Sequence, residues 1–87
     1  MSTAELIRQR LAALEPESIV LDDESAQHKG HAGAASGGGH FRLTLVSPKF
    51  RDLSTLARHR LVYEAMGELM QREIHALSIT ALTPEEL

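Results

Sequence analysis

Cysteine is absent from this 87-residue chain. No disulfide can staple the fold, and a metal site has to draw on histidines, carboxylates or ligands from a second molecule. Tryptophan is absent as well, and Phe41, Phe50 and Tyr63 are the only aromatic residues, which leaves little material for stacking nucleic-acid bases. Basic charge is in short supply. Nine Lys and Arg against twelve Asp and Glu give a formal net charge of -3, which argues against non-specific binding to a polyanion. Apolar runs are only a handful of residues long, so nothing has the length of a bilayer span. The opening "MSTAELIRQR" reads as a helix start rather than a secretory signal, so a cytoplasmic location away from membranes is expected. No nucleophile elbow and no phosphate-loop pattern is found, and the chain is not expected to be an enzyme.

What is present points to a small α+β domain. Apolar residues make up 43% of the chain and charged residues 24%, a globular balance, and the length allows one core, hence one domain over 1–87. Ser2 and Glu5 have capping-box spacing, and Leu6, Ile7, Leu11 and Leu14 fall on one face of the helix that follows. Pro16 ends that helix near Leu14. "SIVLDD", residues 18–23, is short and β-branched, a strand. In "HFRLTLVS", Phe41, Leu43 and Leu45 alternate with polar positions, which predicts a strand with one buried face. Ser54 caps a second helix whose stripe runs through Leu61, Val62, Ala65, Met66, Leu69 and Met70, with Gly67 inside it. "IHALSITAL", residues 74–82, is the third strand. Thr83, Pro84, Glu85 and Glu86 read as a cap, a first-turn proline and two acids opening a short C-terminal helical turn. The order is α-β-β-α-β, with two helices on one face of a three-stranded sheet.

Between the first two strands lies an 18-residue connection, 23–40, that holds five of the six glycines and three of the five histidines: His28, His31 and His40. A connection that long is either functional or a solvated linker. Imidazole is a common metal ligand, and His28-x-x-His31 is a spacing that a glycine-rich loop can fold around one ion. His75 is the candidate to complete such a set. It opens the last strand, although plain alternation puts it on the face of Leu77 and Ile79. Spacing alone leaves linker and ligand readings both open. A second cluster is cationic. Lys49, Arg51, Arg58 and Arg60 stand against Asp52 alone, and Arg58 and His59 sit near a helix start, where cations oppose the helix dipole. Such a patch raises the case for an anionic partner above that of an average charged run, although most charge runs are simply solvated faces.

Taken in order, "DDES", the histidine-bearing loop, "GGGHFRLTLVSPKF", "LSTLARHRLVYEAM" and "IHALSITALTPEE" resemble the BolA family, from about Leu6 to Glu86. The resemblance implies a class II KH-like α-β-β-α-β fold, a monothiol glutaredoxin as partner and a bridging [2Fe–2S] cluster. The glutaredoxin cysteine and a bound glutathione would supply the thiolates. The BolA side would supply a histidine at the start of the last strand, matching His75, and a His or Cys from the long loop. His28 has the family spacing after "DES", His31 the spacing before "HF", and His40 ranks third. Lys49, Arg51, Arg58, His59 and Arg60 would dock the partner. The implied role is an adaptor in iron–sulfur cluster trafficking or iron regulation, a monomer or weak homodimer when alone. The alternative is a DNA-binding transcriptional regulator working through the Arg58–Arg60 helix. Two departures stand out. Arg51 and Asp52 occupy positions where the family commonly has Glu-Gly, and the Gly-x-x-Gly loop of nucleic-acid-binding KH folds is missing.

Overall fold

The computed structural model describes residues 2–24 and 39–87. Helix α1 spans Thr3–Leu11, and the Ser2 Oγ accepts from the Glu5 N–H at 3.1 Å, as the capping spacing predicts. Ile7 and Leu11 are its buried residues. The chain then tightens into a 3₁₀ turn over Ala12–Leu14 and stops at Glu15, whose φ of 49° is left-handed, directly before Pro16.

Strand β1 (Ser18–Asp23) pairs antiparallel with β2 (Gly39–Val46), in a register running from Ser18 opposite Val46 to Asp23 opposite Phe41. A 3₁₀ turn over Pro48–Phe50 leads through Asp52 to helix α2 (Thr55–Met66), where the Ser54 Oγ accepts from the Ala57 N–H at 3.1 Å. Asp52 has a φ of 64°. The turn therefore keeps a backbone angle that suits glycine, with an aspartate bearing it, and Asp is among the few other residues that tolerate it.

The second helix is shorter than its stripe suggests. It ends at Gly67, whose φ of +55° breaks the spiral, and a separate four-residue helix α3 (Leu69–Arg72) follows. Leu69 still reaches the core from α3. Strand β3 (Ile74–Leu82) runs parallel to β2, with Phe41 opposite Leu77 and Val46 opposite Leu82. A last 3₁₀ turn spans Pro84–Glu86.

The strands form one mixed sheet in the order β1-β2-β3. Phe41, Leu43 and Leu45 of β2 meet Ile7 and Leu11 of α1, Val62 and Met66 of α2, and Leu14, Phe50, Leu69 and Ile74 in one apolar cluster. Each such side chain stabilises the fold by about 1.5–3 kcal/mol through removal from water. The helices thus cover one face of the sheet, as expected for this α+β arrangement. Among the described residues, no helix is long and apolar enough to cross a membrane.

Candidate functional site

The parallel pairing of β2 and β3 brings the starts of both strands to one end of the sheet, and the histidines gather there. Gly39 lies opposite Ile74, yet the next residue, His40, lies opposite Ala76. His75 is therefore the extra residue of a β-bulge. Strict alternation would have turned it inward with Leu77. The bulge gives the inward position to Ile74, which is buried, and leaves His75 exposed. Its ring lies against that of His40, with centroids 4.9 Å apart and planes tilted by 42°.

The two ends of the 25–38 segment are fixed at this same edge. The Glu24 N–H donates to the His40 carbonyl at 2.7 Å, and the Gly39 N–H donates to the Glu73 carbonyl at 3.1 Å. Glu24 and His40 are half-buried, and Arg42 extends toward the Glu24 carboxylate at 3.5 Å. His28 and His31 fall within that segment, outside the described residues, so the structure brings together His40 and His75 of the four candidate ligands. No group of three or more metal-ligating side chains occurs among the described residues.

The cationic candidates meet carboxylates of the same chain. Arg51 donates through Nε to Glu85 at 2.9 Å in a two-pronged pair, which holds the Glu85 carboxyl below its ordinary range and raises the guanidinium. Lys49 lies 3.5 Å from Glu15. Arg58 is the most enclosed of the set, its side chain 13% exposed. It donates to the carbonyls of Leu53 and Ala81, each at 3.0 Å, and to Glu86 at 2.6 Å. That contact, helped by the Thr83 N–H, pushes the Glu86 carboxyl down to about 2. The anion that a cationic helix start calls for is thus Glu86, and Arg58 clamps α2 to the end of β3. Arg60 is exposed and His59 half-buried, and neither pairs with a carboxylate among the described residues.

Ser47 follows directly on β2 and carries no catalytic motif around it. It is fully buried, donates through Oγ to the Leu14 carbonyl and accepts from the Lys49 N–H at 3.0 Å. Its own N–H reaches the Leu82 carbonyl at 2.9 Å. The hydroxyl ties the 3₁₀ turn after α1 to the end of β2, and the amide reaches β3, a structural role. The sequence signal was its place directly after an alternating apolar strand and before Pro48.

The BolA family profile, described as BolA-like protein, matches residues 11–86. BolA-like protein 1 of Mus musculus is 46% identical over 74 residues, covering 85% of this chain and 52% of the relative, so the chain spans about half that protein's length. The DNA-binding transcriptional regulator BolA of Haemophilus influenzae is 31% identical over 87 residues, covering 99% of this chain and 82% of its own. Among solved structures, the BolA domain of SufE1 from Arabidopsis thaliana superposes with a TM-score of 0.85 at 39% identity, over 100% of this chain and 98% of that one. Profile, relatives and architecture converge, and the chain belongs to the BolA-like protein family.

Proposed function

We propose that this protein is an adaptor that pairs with a monothiol glutaredoxin and contributes imidazole ligands to a [2Fe–2S] cluster shared between the two proteins. The observation that carries the reading is the bulge at His75. It exposes a strand-borne imidazole at the edge where the chain leaves for, and returns from, the segment containing His28 and His31.

The donor chemistry fits half of a bridging site. The chain has no thiol, so the thiolates must come from elsewhere, which is what a glutaredoxin cysteine and a bound glutathione would provide. His75 would hold iron from this side, with His28 or His31 as the second ligand. A bound cluster supplies iron and one-electron chemistry, and ligation by neutral imidazole shifts its potential upward relative to all-thiolate ligation. The chain's own part is to present a ligand on a rigid strand, attach the flanking segment beside it, and offer Arg60 and His59 to the partner's surface.

Anaerobic reconstitution with a monothiol glutaredoxin, glutathione, ferrous iron and sulfide tests this. The visible circular dichroism of the mixture is expected to differ from that of the glutaredoxin alone, and His75→Ala is expected to abolish the difference. A spectrum indifferent to this protein would end the proposal.

The Haemophilus influenzae relative, a DNA-binding transcriptional regulator by name, supports a second reading, DNA binding. The internal pairing of Lys49, Arg51 and Arg58 with Glu15, Glu85 and Glu86 weakens it. If duplex DNA is bound, affinity should fall steeply with salt and depend on Arg60.

A further inference from the structure

Two histidines share the bulge, and they differ in what holds them. His40 belongs to the regular ladder of β2, opposite Ala76, and its carbonyl accepts from Glu24. The backbone just before it is pinned: a Cβ at Gly39 would lie 2.4 Å from the Phe41 ring, and Phe41 is buried in the core. The Nε2 of His40 is itself buried. His75 has none of this support. It is the residue that the ladder skips, and it is exposed. A side chain at such a place samples about three staggered rotamers unless a neighbour excludes some of them. Among the described residues, the ring that neighbours it is that of His40, 4.9 Å away and tilted by 42°, within the range of favourable ring pairs.

We infer that His40 is a positioning residue: its ring, fixed by the strand, selects the rotamer in which His75 presents its nitrogen to a metal. The inference rests on the cluster reading above and reassigns His40, which the sequence ranked as a third ligand. A ring whose Nε2 is turned into the protein serves as a wall for its neighbour. Without that wall, the ligating rotamer of His75 falls to roughly one third of the population, and apparent affinity for the shared metal falls about threefold.

Three variants separate the roles: His40→Phe, which keeps a flat ring and removes both nitrogens, His40→Ala, which removes the ring, and His75→Ala. Side-chain NMR of the protein without metal reads the His75 χ1 couplings. The parent and His40→Phe are expected to show one dominant rotamer, and His40→Ala an average. Cluster formation with the glutaredoxin, followed by visible circular dichroism, is expected to persist in His40→Phe, to need about threefold more protein in His40→Ala, and to vanish in His75→Ala.

Loss of the cluster in His40→Phe would make His40 a ligand and overturn the inference. Averaged His75 couplings in the parent would overturn it too, whatever the cluster does. If the couplings behave as expected but the parent forms no cluster, the shared-cluster proposal fails. His40 then stands as a brace for His75 with no metal to serve.

Discussion

The two ends of the sheet are built on opposite plans. At the end where β1 begins and β2 and β3 finish, polar groups are tied off inside the chain. Ser47 links Leu14, Lys49 and Leu82, Arg58 grips Leu53, Ala81 and Glu86, and the Glu17 N–H meets the Val46 carbonyl at 2.7 Å. At the other end the backbone is equally well bonded and Arg42 meets Glu24, yet His75 stands exposed at the skipped position, with the half-buried His40 ring against it. One end commits its polar chemistry to holding the fold, and the other leaves an imidazole exposed. A rigid frame at one pole is what lets an imidazole stand exposed at the other without loosening the whole.

This contrast can be broken by substitution. The largest effect is expected from Phe50→Ala, at the tied end. Phe50 is fully buried, and its truncation should cost about 3–5 kcal/mol in chemical denaturation, whereas His75→Ala should stay within about 0.5 kcal/mol. Similar costs at both sites would mean the two ends do not divide labour in this way. Ser47→Ala is expected next, at about 1–3 kcal/mol, because it strands the Leu14 carbonyl and the Lys49 amide beside a buried position. Hydrogen exchange should show faster opening at the end of α1 than in the parent.

The smallest effect is one of pH. Arg58 and the Thr83 amide hold the Glu86 carboxyl at about 2, below its ordinary 4.5. Its contribution is therefore complete above 4.5 and is lost as the pH falls through about 2. Glu86→Gln should flatten the acid limb of the stability curve inside that window and leave its shape near neutrality alone. An unaltered acid limb would remove Glu86 from the clamp.

Much of the frame was legible because its signals are local. The strands at 18–23 and 74–82 fall where β-branched runs and their flanking turn residues put them, and Ser2 and Ser54 cap the helices that their spacing announces. What escaped was decided at a distance or by a single backbone angle. Arg51 and Arg58 read as a free patch because Glu85 and Glu86 lie 34 and 28 residues further along, with no local trace of the pairing. Gly67 looked like a tolerated interior glycine, and only its positive φ makes it a terminus. The alternation of "IHALSITAL" turned His75 inward because a bulge leaves no mark on periodicity. The sequence did register that the aspartate after Phe50 and Arg51 replaces a glycine, and the structure shows the angle that made glycine useful there.

The skipped position in β3 has a further consequence for how this scaffold tolerates change. Because the ladder resumes at Ala76, the identity of residue 75 is uncoupled from the inward–outward code of the rest of the strand. A different side chain can be written into that slot without re-registering the eight residue pairs that bind β3 to β2. The bulge thus acts as an interchangeable socket, in which the side chain at position 75 is open to revision while the architecture stays as it is.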